Sequence, residues 1–117
     1  MKLTNKQILV VDDDEAVRET MQDILMEMHC DVKTASNGCS AIDIIKKNDF
    51  DVTFMDVRMP GMNGIETLVR IKQDHPSMNV VMMTAYASDE MITHINKIGV
   101  KGIVFKPFDW SNLEKFL

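Results

Sequence analysis

Five short apolar runs alternate along this chain with longer segments of helical period, and that alternation leaves few folds open to it. Residues 8–11 are continuously apolar and end at Asp12-Asp13-Asp14. A strand with one wet face would alternate apolar and polar residues, so this run reads as a strand covered on both faces, as parallel sheets require. Behind it, Val17, Met21, Ile24, Leu25 and Met28 recur at helical spacing, which predicts a helix over 15–29 with Asp14 as its N-cap. Residues 32–35 form a second short run. Asn37-Gly38 then turns the chain into a helix carrying Ala41, Ile42 and Ile45.

The pattern continues to the end. Residues 51–56 read as a third strand, closed by a Pro60-Gly61 loop, and a helix follows Asn63-Gly64 with Ile65, Leu68 and Ile71 inward. Asn63 and Glu66 stand three apart, the spacing of a capping box. Residues 80–84 form a fourth strand, Ser88 caps a helix bearing Met91, Ile95 and Ile98, and residues 102–105 form a fifth strand. Asp109 is expected to cap a last helix with Leu113, Phe116 and Leu117. Strand and helix in strict alternation give an α/β domain with a parallel sheet. Right-handed crossovers put helices on both faces of it.

The 117 residues fit one domain, and the final helix is short enough that the chain is expected to be a module of a longer protein. A net charge of −5 argues against nucleic acid as a partner, because phosphate contacts need a basic face. No apolar run approaches the ~20 residues that span a bilayer, so no membrane association is expected. The first residues lack the apolar core of a secretory signal. Cys30 and Cys39 carry neither CxxC nor zinc-like spacing, so two reduced thiols in a cytoplasmic protein are expected.

Open parallel sheets bind their ligands beyond the carboxyl ends of the strands, and those ends carry a consistent chemistry. Strand one ends in Asp12 and Asp13, strand three in Asp56, strand four in Thr84 and strand five in Lys106. An Asp after a strand is ordinarily a cap or a turn former. Caps explain neither Thr84 nor Lys106. Clustered carboxylates repel one another unless a cation joins them, and an all-oxygen set suits a hard divalent ion such as Mg²⁺. Lys106 can pair with Asp56 or with a phosphoryl group upon it. Met59, Met62, Met82 and Met83 crowd the same region, where thioethers serve as core filler rather than as ligands to a hard ion. His29, His75 and His94 fall on separate segments with no metal-like pairing.

Four motifs in order span the chain: Val10-Val11-Asp12-Asp13-Asp14, the run from Phe54-Met55-Asp56-Val57-Arg58-Met59-Pro60-Gly61 to Met62-Asn63-Gly64, Met83-Thr84-Ala85, and Phe105-Lys106-Pro107-Phe108. Together they resemble the receiver domain of two-component response regulators. The resemblance implies a doubly wound, flavodoxin-like sheet of order 2-1-3-4-5 with five helices. It also implies that Asp56 is a phosphoacceptor, taking a phosphoryl group from the phosphohistidine of a sensor histidine kinase or of a histidine phosphotransfer protein. Asp13, Asp56 and the backbone carbonyl of Arg58 would hold Mg²⁺ (or Mn²⁺), with Asp12 assisting. Thr84 and the backbone N–H of Ala85 would take phosphoryl oxygens, and Lys106 would pair with the phosphate. The Lys106–Pro107 bond would be cis. The β5–helix corner and the first helix around Asp14, Glu15 and Arg18 would receive the histidine donor. An effector domain or a second copy would meet the face made by the fourth helix, fifth strand and fifth helix.

Three positions depart from or vary within that pattern. Receivers usually carry an aromatic three residues before the lysine; here Ile103 stands there, stiff at χ1 and without ring or hydroxyl, so a muted or rerouted switch is expected. Arg58 and Tyr86, both large, would stand over the phosphoryl group and slow attack by water. A small Mg²⁺-dependent phosphohydrolase with an Asp nucleophile is the competing class. Enzymes resembling haloacid dehalogenases need a second acid two residues after the nucleophile, where this chain has Arg58. A nucleotide-binding module would need GxGxxG or GxxxxGK[ST], and neither occurs.

Overall fold

A computed structural model describes residues 6–59, 61–86, 88–106 and 110–117, the last of these without the side chains of 110–112. Its elements are β1 (Gln7–Val11), α1 (Glu15–Glu27), β2 (Asp31–Ala35), α2 (Gly38–Lys47), β3 (Val52–Asp56), α3 (Gly64–Asp74), β4 (Val80–Thr84), α4 (Asp89–Ile98), β5 (Gly102–Phe105) and a terminal 3₁₀ helix (Trp110–Phe116). All strand pairs are parallel and the sheet order is β2-β1-β3-β4-β5, as expected. Strand limits differ from the sequence expectation by at most one residue.

The apolar runs are continuous because each strand feeds two cores. On one face Leu9, Val11, Met55, Val80 and Met82 pack with Ala41, Ile45, Leu68, Ile71 and Ile95 of α2, α3 and α4. On the other, Ile8, Val10, Val52, Phe54, Val81 and Met83 pack with Met21 and Leu25 of α1 and with Leu113 and Phe116. Successive side chains point to opposite faces, so both sets must be apolar. The edge strand β2 is less covered and alternates, with Asp31 and Lys33 exposed, Ala35 buried in one core and Val32 partly buried against the other.

Two helix expectations need correction. The first helix ends at Glu27, not at residue 29, because His29 adopts φ 66°, in the left-handed region. The turn is closed by Cys30 N–H to Leu25 O at 3.1 Å and His29 N–H to Met26 O at 2.9 Å, the paired bonds of a Schellman motif. Periodicity could not show this, since Met28 keeps the spacing going. The fifth helix is a 3₁₀ helix, which leaves four α-helices among the described residues. Its buried residues, Leu113 and Phe116, stand three apart, and a three-residue turn places such a pair on one side. Phe116 sits edge-on to Phe54 with ring centroids 6.3 Å apart. The cap expected at Asp109 and the cis bond at Pro107 lie outside the described residues.

The remaining caps form as the sequence suggests. Asp14 accepts from Ala16 N–H, Asn37 from Ser40 N–H and Ser88 from Met91 N–H. At α3 the capping box closes in both directions, Glu66 N–H to Asn63 and Asn63 N–H to Glu66. Each cap fixes where the chain leaves a strand end, and therefore where the polar residues of that end point.

Candidate functional site

Parallel registration brings the strand ends level. Val11 pairs with Met55, Asp56 with Met83 and Thr84 with Phe105, so the residues that follow gather on one rim of the sheet. Backbone bonds carry the register past the strands: Asp12 N–H to Ala35 O at 3.2 Å, Val57 N–H to Met83 O at 2.9 Å and Lys106 N–H to Thr84 O at 2.6 Å. At β3 the chain folds back sharply, with Gly64 N–H bonded to Val57 O at 2.8 Å. A Cβ on Gly64 would fall on the Asp56 carbonyl oxygen, so this close approach needs glycine.

Asp12, Asp13 and Asp56 each offer a carboxylate oxygen, and these lie within 4.8 Å of one another. Asp12 is fully buried and Asp56 is 6% exposed, whereas Asp13 is exposed. Lys106 reaches into the cluster, its Nζ 2.7 Å from Asp12 Oδ2 and 3.5 Å from Asp56 Oδ1. Burial, and then repulsion from Asp12, raise the Asp56 pKa to about 6; the Lys106 ammonium and the Arg58 backbone N–H pull the other way. Burial alone would lower the Lys106 pKa, but its hydrogen bond to Asp12 and the two carboxylates hold it above the ordinary lysine value. Three acids so close, with oxygen the sole donor element, fit a hard divalent cation, which would remove the repulsion that one ammonium offsets only in part.

Thr84 is buried, and its hydroxyl donates to Tyr86 O at 2.6 Å while accepting Tyr86 N–H at 3.2 Å. The hydroxyl is therefore engaged by its own turn and would have to release Tyr86 to serve a ligand. Ala85 and Arg58 are exposed on the rim, and the Tyr86 ring is 65% exposed. Ile103 is half-buried and packs on the core cluster that contains Ile95 of α4. An open cleft of about 430 Å³ adjoins the acids, lined by Asp13, Arg58 and Asn63 over a floor that includes Met59, Ile65 and Met91. Met82 and Met83 are fully buried core residues.

The rim thus assembles Asp12, Asp13, Asp56, Thr84 and Lys106, with Arg58, Ala85 and Tyr86 around them. Two features escaped the sequence. The tighter partner of Lys106 is Asp12, where a pairing with Asp56 was expected. Arg18 of α1, expected only near a docking surface, donates from Nη1 to the backbone carbonyl of Asp12 at 2.7 Å. Its position four residues after the N-cap Asp14, where a helix turns back over the preceding strand end, is the signal that could have found it.

The response regulator receiver domain family matches residues 8–117. Sporulation initiation phosphotransferase F of Bacillus subtilis is 35% identical over 107 residues, 92% of this chain and 86% of that protein. The transcriptional regulatory protein ZraR of Escherichia coli is 38% identical over 113 residues, which is 97% of this chain but 26% of ZraR. Among solved structures, the chemotaxis protein CheY4 of Vibrio cholerae superposes with a TM-score of 0.90 at 29% identity, covering 96% of this chain and 95% of that one. Rim, topology and sequence agree, and the chain belongs to the response regulator receiver domains, the phosphorylation-dependent signalling modules of two-component systems.

Proposed function

We propose that Asp56 is the phosphoacceptor and that its donor is the phosphohistidine of a sensor histidine kinase or of a histidine phosphotransfer protein. The convergence of three carboxylates within 4.8 Å, spanned by the Lys106 ammonium, carries this reading. An Asp56 carboxylate oxygen attacks phosphorus, the P–N bond breaks, and its electron pair leaves on the imidazole. With a pKa of about 6, Asp56 is mostly ionised at neutral pH and more basic than an ordinary aspartate, which suits a nucleophile.

Phosphoryl transfer asks for position and for neutral surroundings more than for covalent chemistry. Lys106 supplies positive charge beside the reacting oxygen. The Thr84 hydroxyl, freed from Tyr86, and the Ala85 backbone N–H donate to phosphoryl oxygens. Asp13, Asp56 and the Arg58 carbonyl would hold Mg²⁺ (or Mn²⁺), with Asp12 assisting; bound there, the ion shields charge on the transferring oxygens. Arg58 and Tyr86 stand over the entrance and hinder water.

In this reading the domain catalyses only its own phosphorylation and slow dephosphorylation. Residues 1–117 form one receiver domain, working in the cytoplasm either alone or ahead of an effector domain. Both arrangements occur among its relatives, since the chain covers 86% of the B. subtilis phosphotransferase and 26% of ZraR. A second copy or an effector would dock on α4, β5 and the terminal helix. Incubation with acetyl phosphate and Mg²⁺, followed by intact-mass spectrometry, tests the chemistry. One phosphoryl group is expected on the wild type and none on Asp56→Asn; equal labelling of both would refute the assignment.

A further inference from the structure

Asp12 is held at four points. Its N–H bonds Ala35 O at 3.2 Å, its Oδ1 takes Asp14 N–H at 2.9 Å, its Oδ2 takes Lys106 at 2.7 Å, and its backbone carbonyl takes Arg18 Nη1 at 2.7 Å. The last contact differs in kind. That carbonyl belongs to the peptide unit joining Asp12 to Asp13, and a peptide unit is planar. Fixing its oxygen fixes the plane, and so the direction in which Asp13 leaves it. Asp13 is exposed, and among the described residues its carboxylate enters no hydrogen bond. Its aim toward Asp56 therefore depends on its backbone.

We infer that Arg18 is a positioning residue for the divalent cation, acting through the Asp12–Asp13 peptide to hold the Asp13 carboxylate against that of Asp56. The inference rests on the proposed function of this rim. Arg18 is half-buried and donates through a charge-assisted bond, the stronger kind. It sits on the first helix, while Lys106 reaches the same residue from just beyond β5, so Asp12 is held by two separate elements.

The sign of one measurement separates this role from simple electrostatics. Arg18 is a cation close to a cation site, so by charge alone its removal strengthens Mg²⁺ binding. By positioning, its removal weakens binding, and loss of partners around metal ligands costs about tenfold or more in affinity. Arg18→Met keeps the apolar stem and loses the donor, whereas Arg18→Lys keeps charge and a donor.

Calorimetric titration of the full chain with Mg²⁺ is the test, with thermal melting as the folding control. The expected result is about tenfold weaker binding for Arg18→Met and a largely restored affinity for Arg18→Lys. Labelling of Arg18→Met by acetyl phosphate, which needs no docking, is expected to be slow at limiting Mg²⁺ and to recover at saturation. Mg²⁺ binding by Arg18→Met that is unchanged or tighter overturns the inference, as does failure of Arg18→Lys to recover. Should Arg18→Met not fold, Arg18→Gln must bind Mg²⁺ more weakly than wild type or the inference falls. Failure of the wild type itself to bind Mg²⁺ or take a phosphoryl group would instead strike the underlying function.

Discussion

Lys106 Nζ lies 2.7 Å from Asp12 Oδ2 and 3.5 Å from Asp56 Oδ1, so one ammonium is divided unequally between two buried carboxylates. Its nearer partner is Asp12 and not the proposed phosphoacceptor Asp56. A phosphoryl group on Asp56 would bring charge approaching −2 and draw the ammonium across. Because Lys106 lowers the Asp56 pKa, Lys106→Met is expected to move Asp56 titration above about 6, measured by carbon-13 NMR of the aspartate carboxyls. Labelling by acetyl phosphate at saturating Mg²⁺ is expected to slow by about a hundredfold, the usual loss when one group that stabilises developing charge is removed.

Asp56 gives the stability of the metal-free protein a defined pH dependence. Its pKa is about 6 when folded against an ordinary 3.8, so the folded state binds the proton more tightly than the unfolded state. Below pH ~4 both states are protonated and nothing is lost. Between pH ~4 and ~6 the folded state becomes progressively penalised, and above pH ~6 the penalty is constant at about 3 kcal/mol. Asp56→Asn is therefore expected to be more stable than wild type by up to about 3 kcal/mol at pH 7, with the gap narrowing below pH ~6 and closed by pH ~4. Urea unfolding across that range, without divalent ions, is the measurement. Mg²⁺ should narrow the gap by stabilising the wild type alone.

Gly64 is where the fold and the site share a single atom's worth of space. A Cβ there would meet the Asp56 carbonyl oxygen and come within 2.8 Å of Val57 Cα, both backbone atoms that cannot turn aside. Gly64→Ala must push the start of α3 away from the end of β3, and overpacking of this kind costs about 1–3 kcal/mol. Arg58 lies in the loop so displaced. The variant is expected to lose stability in urea and also to bind Mg²⁺ more weakly than an equally destabilised core variant such as Ile71→Val.

The fold was legible because both of its signals are local. Residues 8–11 and 80–83 are apolar throughout since each run feeds two cores, and Asn63 with Glu66 announces its cap in four residues of sequence. Asp12, Asp13, Asp56, Thr84 and Lys106 were legible as strand-end residues once the sheet was parallel. What stayed hidden depends on side chains reaching across elements. Nothing in the sequence around Lys106 says that Asp12 rather than Asp56 is its nearer partner, for that is settled by packing 94 residues away. The Thr84–Tyr86 turn likewise depends on a hydroxyl rotamer, and the end of α1 on the left-handed backbone of His29, a conformation still uncommon for any residue but glycine.

The timing role proposed for Arg58 and Tyr86 concerns the lifetime of the phosphorylated state rather than its formation. Both are exposed at the rim, and the Tyr86 backbone is tied to Thr84 by two hydrogen bonds, which keeps the ring close to any phosphoryl group that Thr84 would contact. Hydrolysis of an aspartyl phosphate needs a water opposite the Asp56 oxygen, and under the proposed function the two side chains would obstruct that approach. Replacing both with alanine opens that approach while leaving the acids and Lys106 in place. The half-life of the phosphorylated Arg58→Ala/Tyr86→Ala protein is expected to fall by about tenfold, equivalent to about 1.4 kcal/mol of barrier, as followed by loss of labelled phosphate after removal of the donor. A half-life equal to that of the wild type would show that water reaches phosphorus by another path, and would leave bulk at these positions without a role in timing the signal.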